Sequence, residues 1–289
     1  MVLFETAPSL EEVGRVLGPL GEVQAVAPAA GWLGGFPGFM LRTNPDDDGK
    51  LVVDVVDKPW PDTMGDTQHD PDLFSCWCLG GFGPLVYPGN LERAGQHAYG
   101  VPAASTMISR HRAFVRMRKT LSSPDAEPLA DLAQLVTVAR AVLELPGALA
   151  YFQPNGEVLL DRAALAASLE HAARTAVSPL ELHVNVRLWR VEGANGWILM
   201  DTVGLEQVLV PDLEVLCDSR RHDENTVARF LRNVSLYQLQ RGDVLADGDT
   251  LDGPGGKWQV GRVDESQVAP PRPVVRLTPT EGASLGGGA

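Results

Sequence analysis

Residues 182–204 read LHVNVRLWRVEGANGWILMDTVG. Val184, Val186 and Leu188 alternate with His183, Asn185, Arg187 and Trp189, the period of two that a strand imposes on its faces. Gly193 to Gly196, GANG, supplies a turn, and WILMDTV then runs back. A hairpin here commits the second half of the chain to antiparallel sheet. On its C-terminal side, ENTVARFLRNVSLYQLQRG (224–242) sets Val227, Phe230, Leu231, Val234 and Tyr237 on one helical stripe that stops at Gly242. On its N-terminal side, DRAALAASLEHAARTA (161–176) reads as a helix with Asp161 as N-cap. Short strands are expected around VLAD (244–247), KWQVGRV (257–263) and PVVRLT (273–278).

The first half has its own alternation. VLFE (2–5) is a short strand, and Ser9 with Glu12 has capping-box spacing ahead of Val13, Val16 and Leu17. GFMLRTNPDDDGKLVVDVVD (38–57) reads as a hairpin around NPDDDG. RAFVRMRK (112–119) alternates as a strand. A helix follows through Leu129, Leu132, Leu135, Val136, Ala139 and Val142, then the strand ALAYF (148–152). This order fits a split βαβ, ferredoxin-like plan. Between its halves, Lys58 to about Ser105 holds six prolines, seven glycines and no sustained period, a long irregular insertion. The expected fold is α+β: two halves of mixed or antiparallel sheet with packed helices, residues 1–152 with the insertion at about 58–105, then 153–280, and a frayed tail over 281–289.

Charge narrows the function. The net charge is −13, and residues 1–75 hold 13 acids against four Lys plus Arg. Such a surface repels nucleic acid and anionic membranes and attracts basic proteins. Arg110, Arg112, Arg116, Arg118 and Lys119 form one basic counter-patch. Three cysteines, Cys76, Cys78 and Cys217, do not make a disulfide framework. The opening MVLFETAPSLEEVGRVLG has no basic leader region, and a cytoplasmic protein is expected.

No catalytic constellation stands out. DGDTLDGPGGKW (247–258) offers Asp247, Asp249 and Asp252, but the calcium-loop register fails, with Leu251 and Trp258 at ligand positions. It reads as a turn. Cys76-Trp77-Cys78 lacks the two-residue spacer of zinc knuckles. Ser109 and His111 are sequence neighbours with no third group implied, and GGFGP (80–84) has no nucleotide-loop spacing. Neither a metal nor a cofactor is expected.

The phrases LPGALAYFQPNGEVL, GWILMDTVGL, and DVLADGDTLDGPGGKWQV followed by PPRPVVRLTP resemble a bacterial family known only as a domain of unknown function, over about residues 105–280. Asp201, Thr202, Gly204 and the loop Asp247–Gly256 are the motif elements that the resemblance would place on one surface. As a class, the chain is similar to immunity proteins of type VI secretion nuclease effectors: acidic, cytoplasmic and without a catalytic set. That likeness implies a non-catalytic antitoxin-like role against a cognate basic nuclease. The expected contact residues are Asp46, Asp47, Asp48, Trp60, Asp62, Asp66, Asp70, Asp72, Phe74 and Trp77, combining charge with aromatic anchors. Neither nucleic acid nor membrane is expected as partner, and a homodimer is left open. Two rival readings remain: a hydrolase-type enzyme built on Asp201, Asp249, Asp252, His97 and His111, or an accessory structural subunit of a secretion system.

Overall fold

The computed structural model describes residues 1–26, 31–32, 35–43, 50–83, 85–119 and 127–280. Asp46, Asp47, Asp48 and the expected tail lie outside them. The chain divides into two compact units, Met1–His183 and Val184–Ala289.

The first unit opens with β1 (Val2–Phe4), α1 (Leu10–Leu17), β2 (Glu22–Val26), β3 (Gly38–Arg42) and β4 (Leu51–Val56). Three short helices follow, α2 (Pro71–Cys78), α3 (Asn90–Gln96) and α4 (Ala104–Arg110). The unit closes with β5 (Ala113–Lys119), α5 (Pro128–Leu143), β6 (Ala148–Gln153), β7 (Val158–Leu160) and α6 (Arg162–Thr175). Its seven strands pair antiparallel in the order β2-β3-β4-β5-β1-β6-β7. Within it, β6-β1-β5-β4 with α1 and α5 is the split βαβ arrangement expected from the order of elements. The boundary expected at 152/153 falls inside the β6–β7 hairpin, where Phe152 pairs with Leu159. Strand pairing therefore keeps β7 and α6 in the first unit.

Both faces of this sheet are covered. Val2, Phe4, Val53, Val115 and Tyr151 pack with Val13 and Leu17 of α1 and Val136, Ala139 and Val142 of α5. On the other face, Leu3, Val56, Phe114 and Phe152 pack with Trp60, Leu73, Cys76, Trp77, Phe82 and Leu91. The insertion is thus a second helical layer, and α2 to α4 are the small elements of its own that so long an excursion tends to carry. Helices of seven or eight residues show too few turns for a sequence period.

The second unit holds β8 (Asn185–Arg190), β9 (Trp197–Val203), β10 (Asp212–Asp218), α7 (Glu224–Arg241), β11 (Thr250–Gly253), β12 (Gly256–Val263) and β13 (Val274–Pro279). The order is β11-β12-β13-β10-β9-β8, with β10 and β13 parallel and the other neighbours antiparallel. The hairpin at 182–204 forms as β8 and β9. VLAD carries no strand. Val227, Phe230, Leu231 and Val234 bury the face of α7, whereas Tyr237 stands half-exposed.

Candidate functional site

The ten residues expected to meet a partner separate into core, local scaffolding and surface. Trp60 is 3% exposed and Trp77 is 8% exposed. Trp60 donates its backbone N–H to His111 Nε2 at 3.1 Å and its indole N–H to Asn90 Oδ1 at 2.9 Å. Its ring meets Phe82, Phe114 and Phe152 edge-on. These tryptophans hold the insertion to the sheet and present no anchor to a partner, which corrects the expectation. Phe74 is half-buried.

The acids of the insertion do local work. Asp62 accepts from the backbone N–H of Leu91 at 2.8 Å and Glu92 at 2.9 Å. It thereby caps α3, whose own N-cap, Gly89, has no side chain. Partial burial raises the pKa of Asp62 despite those two bonds. Asp66 accepts from Gln68 and His69, and this exposed carboxylate sits below its usual pKa because the bond from Gln68 favours its charged form. Asp70 caps α2 through Leu73 N–H, and Asp72 takes the N–H of Trp32 at 2.7 Å.

The basic patch is also redistributed. Arg116 and Asp54 stand opposite each other on β5 and β4, both about 1% exposed, with a two-point bond at 3.0 and 2.6 Å. Arg118 lies diagonally from the same carboxylate, with Nη2 3.4 Å from Asp54 Oδ2. These arginines belong to the basic counter-patch read from the sequence, and they lie on the face of β5 that the insertion covers.

In the second unit the motif residues form a closed charged centre. Arg187, Asp201, Glu214 and Arg276 lie in register across β8, β9, β10 and β13. Asp201 is fully buried, bonded to Arg187 and, at 2.8 Å, to Arg272 Nη2. Trp189 Nε1 donates to it at 3.3 Å. Burial opposes its ionisation, but the two guanidinium groups outweigh that and hold its pKa below the ordinary value. Asp212 accepts from Thr202 Oγ1, the N–H of Gly204 and Leu205, and Arg272 Nε. Glu214 accepts from Arg276 and from the Gln267 N–H. Three arginines balance three carboxylates, and Asp201 keeps no group free for chemistry.

The loop 247–258 is a hairpin in which Gly253 pairs with Gly256 around Pro254-Gly255. Asp247 accepts from Arg262 N–H, Asp249 from Ala246 N–H, and Asp252 pairs with Lys257. Asp201 lies buried in β9 while Asp252 is exposed on the edge strand β11, so the motif elements do not line one surface. His97 Nδ1 meets Tyr99 Oη at 2.9 Å, and His111 is held by Trp60 N–H and the Ile108 carbonyl. Cys76 is buried and Cys78 exposed, as two positions apart on a helix requires. Among the described residues no group of three or more His, Cys, Asp or Glu is placed to hold a metal. None of the described helices is long and apolar enough to cross a membrane.

One cleft of about 370 Å³ opens in the first unit. Its walls include Phe82, Met117, Arg118, Leu132, Leu135 and Asn155. No sequence signal pointed to it, because its walls come from five separate segments.

Residues 201–278 match the model of a family described as Domain of unknown function (DUF4261). The match covers just over a quarter of the chain and lies within the 105–280 span suggested by the sequence phrases. No curated protein matches the chain, and no solved structure does. The similarity therefore runs from within β9 to within β13 and takes in Asp201, Asp212, Glu214 and Arg272, the residues that close the charged centre.

Proposed function

We propose that this protein acts by binding a basic protein partner, and that its fuller role is that of a cytoplasmic immunity protein which neutralises a secreted antibacterial nuclease. The observation that carries this reading is the insertion: residues 59–91 hold Asp62, Asp66, Asp70 and Asp72 and no Lys or Arg. These carboxylates are tied to turns and helix starts, so their negative potential is preorganised and little ordering is needed on association. Exposed Leu79, Tyr87 and Tyr99 on the same layer supply apolar contact area, replacing the buried tryptophans in that role. A nuclease cleft is basic because it holds phosphates, and a fixed acidic surface is its electrostatic complement.

The test is co-expression with a basic antibacterial nuclease toxin. Cells making both proteins are expected to grow. The pair of substitutions Asp57→Lys and Asp66→Lys, at exposed positions, is expected to remove protection while leaving the circular dichroism spectrum intact. Equal protection by the charge-reversed chain would refute the acidic-surface reading. No protection by the wild type would refute the immunity role itself.

A further inference from the structure

The cleft of the first unit lies where the C-terminal ends of β5 and β6 flank β1, with α5 on one side and the glycine-rich turn 80–83 on the other. Its volume of about 370 Å³ falls in the range of small-molecule sites. The turn depends on glycine for close approach: Gly83 has φ 135°, and a Cβ there would stand 2.6 Å from Asn155 Oδ1.

The electrostatics of the lining run against the acidity of the whole. Among the described residues Arg118 and Lys119 are its charged side chains, and no carboxylate lines it. Lys119 is neutralised by Asp131. Arg118 has no carboxylate of its own, because Asp54 is already held at two points by Arg116. The Nε of Arg118 is buried with no acceptor among the described residues, and Asn155 Oδ1 is likewise buried with no donor. Among the described residues two guanidinium groups share one carboxylate, which leaves one net positive charge at the cleft. Burial and the neighbouring Arg116 lower the pKa of Arg118, as expected for a cation short of counter-charge. Phe82, Met117, Leu132 and Leu135 are the apolar side chains of its lining.

We infer that this cleft binds a small organic monocarboxylate, with the carboxylate on Arg118, the apolar body against Met117, Leu132 and Leu135, and Asn155 as a second polar point. One uncompensated charge matches a monoanion, and the guanidinium fork matches carboxylate geometry. This inference does not rest on the partner reading proposed above, although the turn 80–83 belongs to the same insertion.

Ligand-detected magnetic resonance on the full chain tests it, with 3-phenylpropionate, its uncharged amide and inorganic phosphate as probes. The carboxylate is expected to bind saturably, and the amide at least about tenfold more weakly. Arg118→Gln should weaken carboxylate binding by a similar factor, because the Asp54–Arg116 pair that secures the sheet stays in place. Leu135→Trp, which fills the cleft without touching the charge, should abolish binding and decides the matter should Arg118→Gln fail to fold. Equal binding of acid and amide, tighter binding of phosphate, unchanged binding by both variants, or no binding of any probe to the wild type would each overturn the assignment.

Discussion

Asp201 shows how a single position in this chain trades solvation for pairing. Removing a carboxylate from water costs several kcal/mol, and two guanidinium groups with further hydrogen bonds must offset that. Arg187, Arg272 and Trp189 do so. Deleting one partner leaves the others buried and unpaired, so Asp201→Ala is expected to destabilise the second unit by about 3–5 kcal/mol. Hydrogen exchange of amides in β9 and β10 measures that loss, and unchanged protection would show the centre to be dispensable. His183 follows a different logic. Burial lowers its pKa to about 4, so the folded chain keeps it neutral while the unfolded chain protonates it near 6.5. Its folded state is unpenalised above about pH 6.5 and loses stability as pH falls from there towards 4. Between pH 7 and 4.5 the loss from this one group is expected to be about 2–3 kcal/mol. Urea titrations of His183→Gln at the two pH values should show a correspondingly smaller drop than the wild type, and an equal drop would assign the acid sensitivity elsewhere.

Elements differ in how openly the sequence announces them. The capping box of Ser9 and Glu12, the Asp161 cap and the stripe of α7 each leave a local signature, and each helix forms where that signature lies. The hairpin β8–β9 and the split βαβ order were equally legible, because alternation and turn residues are short-range facts. The insertion layer was not. Its three helices are too short to display a period, and its aromatics form one cluster only after residues far apart in sequence meet. That hidden layer also reversed two site readings. Trp60 and Trp77 look like surface anchors when their cover is unseen, and Arg116 looks like part of a basic patch for the same reason. Charge pairs such as Asp54 with Arg116, or Asp201 with Arg272, lie 62 and 71 residues apart, and no local pattern joins them. The insertion therefore carries a prediction of its own. Trp60→Ala removes a buried ring and leaves Asn90 Oδ1 without its donor. It is expected to cost about 3–5 kcal/mol and to speed proteolysis between residues 58 and 112 ahead of the rest of the unit. Cleavage at the wild-type rate would mean that the layer is held by its other contacts.

For the molecule as a whole, charge is the property on which the proposed role rests. The first unit holds 22 acids and 13 Lys plus Arg, the second 15 and 11. The net −9 of residues 1–75 thus equals the net charge of the entire first unit, and the acidity is a feature of one unit rather than a uniform coat. Some of these acids are internal: Asp54 is consumed by Arg116 and contributes nothing outside. Others, including Asp57 and Asp66, are exposed and set the field that an approaching protein meets. Interaction through such a field acts mainly on encounter, so ionic strength should slow association and leave dissociation nearly unchanged. With a basic nuclease partner immobilised, raising salt from about 50 to about 300 mM is expected to lower the association rate at least tenfold. The exposed charge reversals Asp57→Lys and Asp66→Lys should lower it further and flatten the salt dependence, because fewer opposed charges remain to be screened. Removal of apolar contact area by Tyr87→Ala or Tyr99→Ala should instead appear in the dissociation rate. If salt altered dissociation alone, the partner would be held by burial rather than drawn in by charge, and the acidic unit would have to be read as a solubility device.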